Sequence, residues 1–214
     1  MAGYRNRQGI PSCGRKRRNE LVKTKTLKVA SWNVRTLLDN NPNLLRRRTA
    51  LIAAELACYD IDIAALSETR LPGAGSLTEV GEGYTFFWQG LPSEQHRIHG
   101  VGFAVRTSLL SSIPSTPEGI NERLITWRIP LAKSQHATLL SAYAPTLPSE
   151  EQAKDTFYNC LHEALQRIPP TDKIVLMGDM NTTHGQNSTH GRHERENWFT
   201  TPSKGRGTWS SRSR

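Results

Sequence analysis

A carboxylate and an amide two residues apart close the apolar run Lys173-Ile174-Val175-Leu176-Met177-Gly178-Asp179-Met180-Asn181. In extended or tightly turning backbone, positions i and i+2 point to the same side, so Asp179 and Asn181 can reach into one pocket at a strand's carboxyl end. Open α/β sheets place their chemistry there. Asp and Asn are also ordinary turn residues, and this stretch alone is explained as well by a turn.

The same construction recurs upstream. Residues 27–33 alternate like a half-buried strand and end on Asn33; residues 60–68 form an apolar run that ends on Glu68. Residues 136–143 alternate and end on Tyr143, ahead of Ala144-Pro145. Glu68 has no Gly or Asn beside it to suggest a turn, although a helix cap or an ion pair with Arg70 would also account for it. Acids, amides and a phenol, with little thiol or imidazole, suit a hard divalent cation and an anionic substrate. Glycine-rich phosphate loops, a serine elbow and a zinc pair are all missing from the sequence. His96, Arg97 and His99 precede Gly100 and could touch phosphate, but they read as exposed loop residues.

These residues need a frame. From 63 to 66 the second strand is apolar on both faces, the mark of a strand covered on both sides. Further strands are expected over 84–88, 100–105 and 123–129, the last paired with 136–143. Residues 71–83, rich in Gly with one Pro, read as loop. The spacing predicts a helix over 44–57 with Leu45, Leu51, Ile52 and Leu56 as its apolar stripe and Arg46 to Arg48 toward water. A second helix is expected from Ser149, with Gln152 completing a capping box, Ala153, Phe157, Leu161, Ala164 and Leu165 as its stripe, and Pro169-Pro170 as its stop.

The chain of 214 residues can bury one substantial core, or two small ones. Its mean hydropathy of −0.56, with 36% hydrophobic residues, is low for a compact domain and implies polar tails around a folded body. The net charge of +9 divides into +7 over residues 1–25, +4 over 192–214 and −2 over the rest. The basic character therefore sits in the arms and not on a binding face. Such arms could add sequence-independent phosphate contacts, with Arg15, Lys16, Arg17 and Arg18 as a nucleic-acid-binding patch or import signal, or could serve as solubilising tails. Cys13, Cys58 and Cys160 form neither a zinc pattern nor a disulfide framework, which favours a reducing compartment. No signal peptide and no run of membrane-span length is evident, and the sequons at Asn181 and Asn187 read as chance matches. An intracellular location, the nucleus before the cytoplasm, is expected.

Ser31-Trp32-Asn33-Val34-Arg35-Thr36-Leu37, Leu66-Ser67-Glu68-Thr69-Arg70, Gly100-Val101-Gly102-Phe103, Tyr143-Ala144-Pro145 and Gly178-Asp179-Met180-Asn181 occur in that order. Together they resemble the endonuclease/exonuclease/phosphatase superfamily, and within it the endonuclease of non-LTR retrotransposons. The resemblance implies a four-layered α/β sandwich and magnesium-dependent phosphodiester hydrolysis on DNA. It implies Glu68 and Asn33 as metal residues, Tyr143 as a phosphate contact, Asp179 as the group that orients and deprotonates water, and Asn181 as a stabiliser of phosphoryl charge. Departures accompany it. The family closes with an Asp motif and a Ser-Asp-His element, and after Asn181 neither has a counterpart: His184, His190 and His193 are not preceded by Asp. Arg35 stands where repair-type relatives carry Asp, and Met180 where Phe is common. The expected organisation is a basic arm over 1–25, a sandwich over 26–181 that is incomplete at its C-terminal side, and a polar tail over 182–214. A catalytically silent nucleic-acid-binding relic and a phosphatase of small phosphorylated substrates are the alternatives.

Overall fold

The computed structural model describes residues 26–39, 47–96 and 98–181. The arms with Arg15 to Arg18, the stripe position Leu45, Arg97, and the histidines after Asn181 lie outside the described residues.

Within them the elements run β1 (Val29–Asn33), α1 (Arg48–Cys58), β2 (Ile63–Ser67), β3 (Ala74–Glu79), β4 (Tyr84–Gln89), β5 (Val101–Arg106) and α2 (Thr107–Leu110). They continue with β6 (Glu118–Asn121), β7 (Leu124–Pro130), β8 (His136–Tyr143), α3 (Glu151–Gln166) and β9 (Lys173–Asp179). One sheet has the order β1-β2-β5-β4-β3, the other β6-β7-β8-β9. In each sheet, the strands that carry the candidate residues pair in parallel. β1 lies beside β2 with Asn33 opposite Ser67, and β8 lies beside β9 with Tyr143 opposite Asp179.

Three apolar layers explain why the sheets stack. Ile63, Ala65, Phe103, Trp127 and Leu139 fill the space between the sheets. Burying each of the large side chains there contributes roughly 1.5–3 kcal/mol. On the outer face of the first sheet, Ile52, Ala53 and Leu56 of α1 meet Ala64, Leu66, Tyr84 and Phe86. On the outer face of the second, Phe157, Leu161 and Ala164 of α3 meet Leu124, Leu140 and Ala142. The result is the expected α/β sandwich of four layers, helix, sheet, sheet, helix. β2, buried at every position, is covered on both sides as its composition requires.

Four local expectations are corrected. The 71–83 stretch contains β3, an edge strand whose apolar cover comes from its neighbour: a Cβ at Gly75 would collide with the Trp88 indole. β6 is likewise an unforeseen edge strand. In α1, Leu51 faces solvent, and Arg47 is not merely solvated but pairs with the buried Glu79 at 3.3 Å. The first turn of α1 is satisfied by Asp39, whose Oδ1 accepts from Arg48 N at 2.9 Å. α3 begins on Glu150 without a capping box, because Ser149 Oγ pairs with Thr146 Oγ1 at 3.1 Å; Ala153 of its expected stripe is exposed. Among the described residues no helix is long and apolar enough to cross a membrane.

Candidate active site at the seam of the two sheets

β1 and β9 are edge strands of different sheets, and the sandwich brings them against each other. Ser31 Oγ of β1 accepts from Gly178 N of β9 at 3.0 Å. Gly178 has φ +126 and lies opposite Ala142, whose carbonyl oxygen a Cβ at position 178 would strike. Only glycine fits, and the chain turns there so that Asp179 faces the seam. One residue before Ala142 on β8, Ser141 Oγ donates to Leu66 O at 3.2 Å and ties β8 of the second sheet to β2 of the first.

The carboxyl ends of β1, β2, β8 and β9 therefore converge. Asn33 Nδ2 donates to Glu68 Oε1 at 2.7 Å and to Asp179 Oδ2 at 2.9 Å, while Asn33 Oδ1 accepts from Arg35 N at 3.0 Å. Glu68 Oε2 accepts from Arg70 Nη2 at 2.8 Å, and the Tyr143 hydroxyl lies near enough to Glu68 to help lower its pKa. Asp179 Oδ1 accepts from Asn181 N at 3.0 Å, and Asn181 Nδ2 donates to Ala144 O. Asn33, Glu68, Tyr143, Asp179 and Asn181, named from strand ends alone, form one connected group. The ion pair of Glu68 with Arg70 exists as well.

A family profile for endonucleases, exonucleases and phosphatases matches residues 30–214. The chain belongs to the endonuclease/exonuclease/phosphatase family. Craniofacial development protein 2 of Bos taurus is 28% identical over 163 residues, 76% of this chain and 25% of that protein. The Tragulus javanicus protein of the same name is 27% identical over 163 residues, covering 76% and 26%. The chain thus spans about a quarter of the length of these curated relatives. The catalytic domain of Xenopus laevis APE2 is similar at 19% identity and a TM-score of 0.50, over 78% of this chain and 62% of that one. Humanized D. rerio TDP2 is similar at 18% identity and a TM-score of 0.50, over 73% and 67%. At these identities the structural likeness establishes the fold.

The backbone around this group of residues takes positive φ at several positions. Arg35, Glu68, Arg70 and Asn181 all have φ between +46 and +61 without being glycine. Such conformations cost about 1–3 kcal/mol each and gather at functional positions. Four buried polar atoms around Glu68, namely Ser67 Oγ, Thr69 Oγ1, Arg70 Nε and His99 Nδ1, find no partner among the described residues.

Electrostatics separates the roles. Burial pushes the Glu68 carboxyl up, but hydrogen bonds from Asn33 and Arg70, the Arg70 charge and the Tyr143 hydroxyl outweigh it and hold the group below the usual glutamate range. Burial, with the Glu68 charge and hydrogen bond, pushes the Tyr143 phenol up, so it stays a donor.

His99 corrects the sequence reading, which left it on an exposed loop. Gly100, at φ +131, lets the loop close on β2's exit: Thr69 N donates to Gly100 O and Arg70 N to His99 O, each at 3.0 Å. The imidazole then sits half-buried, 5.9 Å from the Tyr143 ring. Arg123 Nη2 donates to its Nε2 at 2.8 Å. Burial and the Arg123 charge hold this imidazole below the usual histidine range, hence neutral at pH 7. Arg123 itself donates from Nη1 to Tyr143 O at 3.1 Å and lies 5.4 Å from that ring. Nothing in its strand pattern sets Arg123 apart from any other charged residue; the glycine beside His99 was the available clue. His96 is exposed as expected.

The donor set also suits a metal ion. Among the described residues no three His, Cys, Asp or Glu side chains converge into a cage. Magnesium does not need one, since it is bound through one or two carboxylates, its own waters and substrate oxygens. The Asn33 Nδ2 group fills the space between Glu68 Oε1 and Asp179 Oδ2, so a cation would meet these carboxylates on their other sides.

Proposed function

We propose that this chain is a magnesium-dependent endonuclease domain that hydrolyses phosphodiester bonds in DNA and is related to the endonucleases of non-LTR retrotransposons. The observation that carries the reading is the Asn33 amide, which joins the carboxylates of Glu68 and Asp179 beside the Tyr143 hydroxyl. The order of the motifs supports a nucleic-acid substrate.

In this reading Glu68 would hold the magnesium ion and Asn33, whose Nδ2 donates to that carboxylate, would help position it; the ion would supply positive charge to the phosphoryl oxygens. Asp179 has each oxygen anchored by a single donor, which fixes the carboxylate plane and leaves lone pairs for a water molecule. It orients that water and accepts its proton as the water oxygen attacks phosphorus and the P–O bond to the leaving sugar oxygen breaks, that oxygen taking a proton from solvent. Tyr143, held in its protonated form, donates to a phosphoryl oxygen. Asn181 spends one N–H of its amide on Ala144 O and has a second to offer the developing charge. The basic residues Arg15 to Arg18 add phosphate contacts from the arm and direct the protein to the nucleus.

Rates on supercoiled plasmid, a single-stranded oligonucleotide and a small phosphomonoester, each with magnesium, test the substrate. Activity on either DNA that is lost on chelation supports the proposal; turnover of the phosphomonoester alone replaces it with a small-molecule phosphatase. Deleting residues 1–25 tests the arm, which should lower DNA affinity and flatten its dependence on salt.

A further inference from the structure

Next to the seam, a cleft of about 440 Å³ opens between Asn121 to Arg123 at the β6–β7 turn, the start of α3 and His99. Its volume lies within the about 300–1,000 Å³ of small-molecule sites. The cleft and the active site share a wall, because Arg123 holds both the Tyr143 carbonyl and the His99 imidazole.

The facing wall carries polar groups that the described protein does not use. Asn121 spends Oδ1 on Arg123 N at 2.9 Å and keeps both N–H groups of its amide. The Gln152 amide and the Glu150 carboxylate make no hydrogen bond or ion pair with described residues. Glu122 stands 4.0 Å from Arg123 Nε. Convergent, unspent polar groups in a concave site are what fix a ligand's orientation.

The sign of the charge decides the ligand. Glu122 and Glu150 outweigh Arg123, and His99 adds no charge, so a phosphate entering here would meet net repulsion. A nucleobase carries no charge and presents ring acceptors and amino donors, which match amides and carboxylates. We infer that this cleft receives an unpaired nucleobase adjoining the phosphodiester held at Glu68 and Tyr143, and so sets base preference. This rests on the nuclease reading above.

The test compares a short oligo(dA) with an abasic oligonucleotide of equal length, on the wild-type chain, Gln152→Ala and Asn121→Ala/Gln152→Ala. Wild type should show a KM about ten-fold lower for oligo(dA) at similar kcat, the worth of one or two hydrogen bonds. Gln152→Ala should lose part of that difference and the double variant nearly all of it. Gln152 is exposed on α3, so its single variant remains informative if the double variant unfolds. Equal KM values in wild type, or a base preference that survives both variants, would overturn the inference. Fluorescence anisotropy in EDTA measures the same preference as affinity. Lack of turnover would therefore fail the nuclease reading, while the cleft stands or falls on binding.

Discussion

Asn33 reaches from the last residue of β1 to Asp179, the last residue of β9, and donates to its Oδ2 at 2.9 Å across 146 positions of sequence. The same nitrogen donates to Glu68 at 2.7 Å, so one neutral amide fixes how far apart two carboxylates stand. Asn33→Ala removes both bonds from a half-buried position and leaves the apolar core intact. It should lower kcat/KM on DNA by about 10²–10³-fold, the scale of losing a pre-organised polar group, with an unchanged circular dichroism spectrum. A fall of less than about three-fold would mean that the spacing has no part in catalysis.

Gly178 aims Asp179, and alanine there meets both a forbidden φ and the Ala142 carbonyl. Gly178→Ala should cost at least about 1–3 kcal/mol in a urea titration and depress activity further than that loss predicts. Ser31→Ala, which removes only the acceptor of the Gly178 N–H, should cost about 1 kcal/mol. Equal effects from the two would show that the turn geometry is not what matters.

Much of this arrangement was legible because strands that end on polar residues leave an alternating pattern or an apolar run that stops at a named side chain. Asn33, Glu68, Tyr143 and Asp179 were found in that way. β3 was not, since Gly75 buries the Trp88 indole and has no apolar side chain of its own to alternate. The insertion of β5 between β2 and β4 leaves no local trace either, being decided by which faces fill the sandwich. His99 and Arg123 meet Tyr143 only through tertiary packing; Gly100 beside His99 is a local clue, and Arg123 has none.

At the far end of the second sheet, Asp172 takes two hydrogen bonds from Arg128, at 2.6 and 3.0 Å, and one from Thr138 at 3.0 Å. The Arg128 bonds, against the opposing effect of burial, hold the Asp172 carboxyl below the usual aspartate range. The folded state therefore binds fewer protons than the unfolded one in acid. Its stability is fully present above the unfolded value of about 3.9 and is lost as pH falls through the lower folded value. Arg128→Ala should move the acid-unfolding midpoint to higher pH in a fluorescence titration. An unmoved midpoint would show that the pair does not contribute to acid resistance.

Magnesium should raise the melting temperature of the wild-type chain in proportion to the logarithm of its concentration once the site is filling. Glu68→Gln, which keeps the shape but removes the charge, should show a much smaller shift under the same titration. Equal shifts would place magnesium binding elsewhere.

The nicking of supercoiled plasmid by the purified chain in magnesium, beside the Glu68→Ala/Asp179→Ala variant, tests the central claim most directly. Open-circular product should accumulate with wild type, stop on addition of EDTA, and fall at least about 10³-fold in the variant. Equal product from the two proteins would contradict an active site at Glu68 and Asp179.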